Sequence, residues 1–118
     1  MPRLKATPAP VLRLQIKHGV AIGPGKAALL EQIAASGSIS QAAAVLGLSY
    51  RTAWQMADSL NKAFSGPLLV SAKGGAAGGG AALTPLGKEV LTRYRTMEAK
   101  ALAAIDDELA PFEALLRR

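Results

Sequence analysis

A polar stretch near the middle of the chain carries the side chains best suited to contact another molecule. Arg51 and Gln55 are four residues apart, so they share one side of a helix, and Tyr50 and Thr52 lie beside them. A guanidinium can donate two parallel hydrogen bonds to guanine, and a glutamine amide can pair with adenine. We therefore expect Arg51 and Gln55 to contact base edges of double-stranded DNA, supported by Tyr50 and Thr52.

A second group of residues is suited to phosphate oxygens. Serines at expected helix N-termini lie where unpaired N–H groups and the helix dipole both favour anions. Lysines add charge, and glycines allow close approach of the backbone, although a glycine-rich hairpin tip without a ligand is an equal alternative. The residues expected to contact the DNA backbone are Ser38, Ser40, Gln41, Ser49, Lys62, Lys73, Gly74 and Gly75.

Catalytic and metal-binding side chains are scarce in the 118 residues. The chain has no cysteine, its single histidine is His18, and no pair of carboxylates is set in apolar surroundings. The segment GVAIGPGKA fails the phosphate-loop pattern G-x-x-x-x-G-K-[ST], because its glycine spacing is wrong and Ala27 follows Lys26. We expect no catalytic residue, no metal site and no cofactor, and hence no enzyme.

The stretch around Arg51 predicts two short helices joined by a tight turn. Ser38 and Ser40 are suited to cap a helix over residues 41–46, and Gly47 can end it in the left-handed conformation. Ser49 is suited to cap the second helix.

Small and apolar residues predict how these two helices pack. One side of the second helix carries Ala53, Ala57, Leu60 and Phe64, and alanines at positions 42–44 allow close packing of the first helix. The pattern is that of a helix-turn-helix with its second helix in the major groove, a generic helical hairpin being the alternative. Trp54 is ambiguous: a core position that locks the helix to its neighbours is favoured, and contact with a sugar or a thymine methyl is the alternative.

Several motifs in this order carry a family resemblance. GSISQAA, GLSY with the following AW, then GG and GGGAALTPLG resemble the N-terminal DNA-binding domain of the ModE-type molybdate-dependent transcriptional regulators, over about residues 12–94. The resemblance implies a winged helix-turn-helix related to the LysR-type regulators, and control of molybdenum-related genes. In that family the molybdate-binding region lies beyond the long helix, so no molybdate site is expected within this chain.

The first part of the chain is expected to supply an arm, a strand and a helix. Residues 1–10 contain three prolines and predict a flexible arm, whereas residues 11–17 alternate apolar and polar side chains as a half-buried strand does. Pro24 suits the first turn of a helix that turns Leu29, Leu30 and Ile33 inward and ends near Gly37.

A wing is expected after the second helix of the motif. Residues 68–70 and 81–83 predict two short strands joined by the loop SAKGGAAGGG. The strand at residues 12–16 could pair with them in a small antiparallel sheet.

A long helix is expected from Thr84 and Pro85, a capping hydroxyl followed by a residue suited to the first helical position. Pro111 is expected to end or kink it. Its apolar stripe is too long for one small domain to cover, which predicts a symmetric homodimer, a helix folded back on its own domain being the alternative. The expected dimer interface consists of Val90, Tyr94, Met97, Ala101, Ile105, Leu109 and Phe112.

Charge is distributed unevenly along the chain. Residues 1–80 hold eight Lys and Arg against two acidic residues, and residues 81–118 hold six of each, so the formal charge of +6 belongs to the part with the helix-turn-helix. The coincidence of this charge with the motif favours a polyanionic partner, a basic solvated surface being the alternative. No run of 18 apolar residues and no signal-peptide core is present, so no membrane segment and a cytoplasmic location are expected.

Together these patterns predict a mainly α fold with a small β wing, a winged helix-turn-helix with a long C-terminal dimerisation helix. The expected divisions are an arm at 1–10, the DNA-binding domain at 11–83 and the dimerisation helix at 84–118. The expected function is a dimeric transcriptional regulator on an inverted-repeat operator. A protein-interaction module and a nucleoid-type DNA binder of low specificity remain the alternatives.

Overall fold

The computed structural model describes residues 21–72 and 80–117. The predictions for the arm, for the strand at 11–17, for His18 and for Lys73, Gly74 and Gly75 lie outside the described residues. The described elements, in chain order, are α1 (Pro24–Ser36), α2 (Ile39–Leu46), α3 (Tyr50–Ala63), β1 (Leu69–Ala72), β2 (Gly80–Leu83) and α4 (Pro85–Glu113). This architecture confirms the mainly α fold with a two-stranded wing and a long C-terminal helix.

Helix α1 forms the centre of the core. Pro24 is its first residue, where the N–H that proline lacks would have no partner within the helix. Leu29, Leu30 and Ile33 are fully buried, as predicted. Gly37 ends the helix with φ of 71°, and its N–H donates to the carbonyl oxygen of Ile33 at 2.7 Å.

The predicted turn between α2 and α3 is confirmed, with one correction at its start. The Ser38 Oγ accepts from the Gln41 N–H at 3.1 Å, so α2 begins at Ile39 and Ser40 lies inside the helix rather than capping it. Gly47 ends α2 with φ of 70°. The Ser49 Oγ accepts from the Thr52 N–H at 3.0 Å and caps α3.

Alanines bring α2 and α3 close to each other. Ala42 and Ala43 of α2 and Ala53 and Ala57 of α3 all belong to the buried core. Leu60 is fully buried one turn further along α3, whereas Phe64 follows the helix and is only partly buried against the same core. Because small side chains fill the contact, the two helix axes can approach closely.

The wing is an antiparallel pair in which Leu69 lies opposite Leu83 and Ala72 opposite Gly80. Both strands extend beyond the predicted residues, β1 to Ala72 and β2 from Gly80. Gly80 also forms a bridge with Ser38, so β2 lies between β1 and the link from α1 to α2. A Cβ on Gly80 would lie 2.7 Å from the Ala72 carbonyl oxygen, so only glycine fits this close approach.

Helix α4 starts as predicted and ends later. The Thr84 Oγ1 accepts from the Gly87 N–H at 2.9 Å, and Pro85 is the first helical residue. The helix passes through Pro111 and ends at Glu113, so of the two predicted effects, an end or a kink, Pro111 does not end the helix. Pro111 lies in the last turn, where its missing N–H removes a single hydrogen bond beside the helix end.

Only the first half of α4 is covered by the rest of the domain. Gly87, Tyr94 and Glu98 are its buried residues among those described. Tyr94 is 1% exposed and packs in the core of its own domain, so its assignment to a dimer interface is corrected. Glu98 is the last buried residue of α4, and none of the later residues that the structure describes is buried.

No helix in the described parts of the chain is both long enough and apolar enough to cross a lipid bilayer.

Candidate nucleic-acid interface

The outer side of α3 is the most exposed polar surface of the helix-turn-helix. Ala53, Ala57 and Leu60 face the core and fix the rotation of α3 about its axis. Arg51 and Gln55 consequently point away from the domain and are exposed, as the sequence pattern predicts. They occupy the first half of α3, the part of a recognition helix that meets base edges in helix-turn-helix complexes.

The two cationic side chains of α3, Arg51 and Lys62, differ in their ion pairing. Lys62 Nζ lies 2.9 Å from the Asp58 Oδ2, one helical turn away, so its charge is partly neutralised within the helix. Lys26 on α1 donates to the Ser59 Oγ at 2.9 Å. Arg51 forms neither an ion pair nor a hydrogen bond through its side chain with any residue that the structure describes. Its guanidinium donors are therefore available to a ligand.

Tyr50 and Thr52, predicted as supporting residues, lie on opposite flanks of α3. The Thr52 Oγ1 accepts a hydrogen bond from the Ser49 Oγ at 3.0 Å, so this hydroxyl belongs to the helix cap. Tyr50 faces the wing and has its ring exposed. The structure thus brings Tyr50, Arg51 and Gln55 to one continuous surface and places Thr52 at its edge.

Trp54 is exposed, so the prediction of a core position is wrong. It is 51% exposed and lines a cleft between α3 and β1 together with Tyr50 and Val70. The physical reason lies in the alanine contacts of α3. Helices held together by small side chains leave no space for an indole between them, and the ring is turned to the surface on the wing side.

The serines predicted to contact phosphates hold the helix ends. The Ser38 and Ser40 hydroxyl oxygens lie 3.0 Å apart, and Ser36 Oγ accepts from the Ser38 N–H at 3.2 Å. Ser40, Gln41 and Ser49 are exposed and Ser38 is half-buried. These side chains order the N-termini of α2 and α3, whose exposed ends remain open to an anion.

Asn61, which the sequence analysis did not single out, joins α3 to the wing. Its Oδ1 accepts from the N–H groups of Leu68 at 2.8 Å and Leu69 at 2.9 Å, and its Nδ2 donates to the Leu69 carbonyl oxygen at 3.1 Å. Asparagine favours turns over helix interiors, and its place one turn before Ser65, Gly66 and Pro67 is the signal that could have identified it. The amide fixes the position of β1 beside the exposed side of α3.

A charged cluster fixes α4 against α1 on the far side of the domain. Arg95 Nη1 donates to the Glu98 Oε1 at 2.9 Å, and the rest of the guanidinium binds Glu31 of α1. The hydrogen bond to Glu31 is the main cause that raises the pKa of Arg95, and partial burial opposes it. Glu98 Oε2 is buried without a hydrogen-bond partner, and among the described residues Arg95 is the one that donates to this carboxylate.

The interface offers hydrogen-bond donors and apolar surface rather than metal ligands. Within the described ranges, no group of three or more His, Cys, Asp or Glu side chains could hold a metal ion. What the surface can do is donate from Arg51, exchange hydrogen bonds through Gln55 and the Tyr50 hydroxyl, and bury apolar groups against Trp54.

Comparison with known proteins places this architecture among bacterial regulators. Residues 26–88 match the family described as bacterial regulatory helix-turn-helix protein, lysR family. The chain is 40% identical over 96 residues to the molybdenum-pterin-binding protein MopB of Rhodobacter capsulatus, covering 79% of the chain and 36% of that protein.

Two further relatives show the same relationship. The molybdenum transport protein ModE of Azotobacter vinelandii is 40% identical over 95 residues, which cover 80% of the chain and 35% of ModE. The DNA-binding transcriptional dual regulator ModE of Escherichia coli K12 is 36% identical over 110 residues, which cover 90% of the chain and 42% of that regulator. The chain thus spans well under half the length of these curated relatives.

Proposed function

The chain belongs to the lysR family of bacterial regulatory helix-turn-helix proteins, and we propose that it is a transcriptional regulator that binds an inverted-repeat operator as a homodimer. In this proposal α3 enters the major groove, Arg51 and Gln55 contact base edges, and the wing follows the phosphate backbone.

The observation that carries the proposal is Arg51, which is exposed on the outer side of α3 and pairs with none of the residues 21–72 and 80–117. A guanidinium without a carboxylate partner keeps its donors free, and the edge of guanine presents two acceptors with matching geometry. Lys62 contributes less in this arrangement, because Asp58 already holds its ammonium group. Ser38, Ser40, Gln41 and Ser49 would position the motif through phosphate contacts.

The second half of α4 supports a homodimer. The helix has 29 residues and is about 44 Å long, and the described chain buries none of its residues after Glu98. Ala101, Ile105 and Leu109 are half-buried on one side of it, and Phe112 is 63% exposed. Pairing of this apolar side with a second copy would present two α3 helices to half-sites about 34 to 36 Å apart. Met97, 48% exposed, would border that interface, whereas Val90 packs against the core of its own domain and is removed from the predicted interface.

A link to molybdenum rests on the relatives. The similar proteins are named as a molybdenum transport protein, as molybdenum-pterin-binding proteins and as ModE regulators. We propose that the genes under this regulator are likewise connected to molybdenum. The part of those relatives that this chain matches is the part that contains the helix-turn-helix.

Fluorescence anisotropy with two labelled duplexes tests the DNA-binding proposal. One duplex carries an inverted repeat obtained by selection from a randomised pool with the full chain, and the other is a scrambled version. We expect preference for the repeat, and we expect Arg51→Ala to lose it by about 5- to 100-fold, the range for one bidentate base contact. Arg117→Ala, which removes the same charge beyond the end of α4, is the matched control and should keep the preference.

The outcomes separate the function classes. Equal binding to both duplexes contradicts the specific regulator and indicates a nucleoid-type binder. Absence of binding to either contradicts DNA binding altogether.

A protein-interaction module is the second candidate, favoured by the exposed Leu115 and Leu116 beyond α4. Apolar contacts respond little to salt, whereas DNA binding through six or more phosphates should weaken about 1,000-fold or more between 50 and 200 mM salt. An affinity for any partner that stays constant over that range would favour the protein-interaction module.

A further inference from the structure

A cleft with apolar rims and a partly polar lining separates the exposed side of α3 from the wing. Its rims are Tyr50 and Trp54 of α3 and Val70 of β1, which are 57%, 51% and 46% exposed. Ile39 and Leu69 form part of the floor. Three large apolar side chains gathered on one surface are more than the scattered exposed residues normal for a small domain, and such clusters mark binding surfaces.

The cleft lies beside the proposed base-contacting residues. Tyr50 is the first residue of α3, Trp54 follows one turn later on the same flank, and Arg51 and Gln55 lie on the adjoining outer side. When α3 lies in a major groove with its N-terminal half toward the bases, this flank faces the base edges beside those contacted by Arg51. Asn61 holds β1 at this place, so Val70 forms the opposite rim without rearrangement.

The chemistry of the lining favours an apolar group over a phosphate. No Lys or Arg lines the cleft in the part of the chain that the structure describes, and the one charged lining residue is Asp58, an anion. A phosphate oxygen would meet that carboxylate, and Lys62, which lies 2.9 Å from the Asp58 Oδ2, is already paired with it. The C5-methyl group of thymine is the apolar group that base pairs expose in the major groove.

The volume of the cleft is compatible with a small group that projects from a base edge, such as a methyl. Its volume is about 260 Å³, below the roughly 300 to 1,000 Å³ typical of sites that enclose a whole small molecule. A methyl group on a base edge requires only a shallow apolar surface.

We propose that the cleft formed by Tyr50, Trp54 and Val70 receives a thymine methyl group, so that the protein selects thymine beside the base contacted by Arg51. This inference rests on the proposed function, since it requires α3 in the major groove. It assigns part of the sequence selectivity to van der Waals contact with a side chain of α3 and one of the wing, in addition to hydrogen bonding.

Replacement of thymine by deoxyuridine tests the proposal, because it removes the methyl group and keeps the base pair. The selected inverted-repeat duplex is compared with the same duplex synthesised with deoxyuridine at every thymine. We expect the unaltered chain to bind the uridine duplex about fourfold more weakly for each methyl that it buries, the value of one methylene-sized group. Trp54→Gln should bind both duplexes equally.

Two further variants make the comparison specific. Val70→Thr keeps the shape and the β-branched backbone preference while replacing one methyl by a hydroxyl, and it should reduce the ratio between the duplexes. Gln55→Ala, on the adjoining side of α3, should weaken binding to both duplexes and leave their ratio unchanged. Trp54, Val70 and Gln55 are all exposed, and circular dichroism checks that each variant folds.

Trp54 supplies a second measurement, because it is the only tryptophan in the chain. Its emission should shift to shorter wavelength on binding the thymine duplex and shift less with the uridine duplex.

Failure of the inference and failure of the proposed function give different results. Equal affinity of the unaltered chain for both duplexes overturns the methyl site and leaves DNA binding intact. An undiminished thymine preference in Trp54→Gln also overturns it, since another surface would then contact the methyl. Binding to no duplex overturns the proposed function and this inference together.

Discussion

Arg95 of α4 donates from Nε and Nη2 to the two carboxylate oxygens of Glu31 on α1, at 2.8 Å each, and so joins residues 64 positions apart in the sequence. The same guanidinium donates to the mostly buried carboxylate of Glu98. One arginine thereby fixes the long helix against the first helix of the domain, and the planar fork allows all three hydrogen bonds at once.

Replacement of Arg95 by methionine should lower the free energy of unfolding by about 2 to 3 kcal/mol, measured by urea denaturation. The cost arises because Glu98 would keep a buried charge without a donor. Glu98→Met in the same chain should recover much of that loss by removing the stranded carboxylate.

Arg93→Met is the matched control, since Arg93 pairs with Glu89 on the exposed side of the same helix. It should change the free energy of unfolding by less than about 1 kcal/mol. Equal losses for the two arginine variants would show that the cluster with Glu31 has no special structural role.

Asn61→Ala should detach the wing from α3. It removes three hydrogen bonds, two of them to N–H groups, and we expect a loss of about 2 to 3 kcal/mol in stability. The amide protons of Leu68 and Leu69 should exchange faster with solvent in hydrogen-exchange NMR. Asn61→Asp keeps the two accepted bonds and should lie between the alanine variant and the unaltered chain. Unchanged exchange at Leu68 in the alanine variant would contradict the role of Asn61.

Gly87→Ala and Gly66→Ala form a pair that tests the contact between α4 and the wing. A Cβ on Gly87 would overlap the carbonyl oxygen of Leu68, whereas a Cβ on Gly66 would meet the Leu86 Cδ2 at an ordinary 3.5 Å. Overlap with backbone forces the helix to move, and we expect a loss of at least about 2 kcal/mol for Gly87→Ala. Gly66→Ala should change stability by less than about 1 kcal/mol. The midpoints of thermal unfolding of the two variants test this prediction. Equal midpoints would contradict the close contact between Gly87 and the Leu68 backbone.

The proposed dimer predicts an effect of charge on the second half of α4. Ile105→Asp with Leu109→Asp should convert the dimer to a monomer in sedimentation velocity, because two carboxylates would lie in an apolar interface. Both residues are only half-buried within one chain, so the fold should persist. Asp106→Asn, on the exposed neighbouring position, is the control and should remain a dimer. Sedimentation of the unaltered chain as a monomer at micromolar concentration would refute the dimer.

Residue preferences at helix ends, together with hydrophobic periodicity, were sufficient to predict most of the helices and strands. Pro24, Gly47, Ser49 and Thr84 each have a backbone or capping preference that marks a helix end, and all four act as predicted. Periodicity identified the buried side of α3 and, by elimination, the exposure of Arg51 and Gln55. The errors at Ser40 and Pro111 concern helix ends. At such an end, residues close together in the sequence can each cap or terminate the helix.

Tertiary packing decides the features that the sequence did not reveal. The sequence left Trp54 between the core and a DNA-facing position, and the alanines between α2 and α3 leave an indole no space in the core. Tyr94 and Met97 lie on the same helical stripe, but they are 1% and 48% exposed, and the orientation of α4 against the domain determines which of them is covered. The Arg95 to Glu31 pair joins distant segments, which periodicity cannot detect.

The close approach of Gly87 to the Leu68 backbone couples the start of α4 to α3 and the wing. Leu68 lies between Asn61 of α3 and the first turn of α4, so rotation of the long helix would carry α3 and the wing with it. In the proposed dimer, the phasing of the two half-sites is then set by the protein. Each inserted base pair turns one half-site by about 34° around the duplex axis. Two DNA-binding domains held at a fixed angle by their α4 helices cannot follow that rotation. The spacer length of an operator should therefore be as selective as its base sequence.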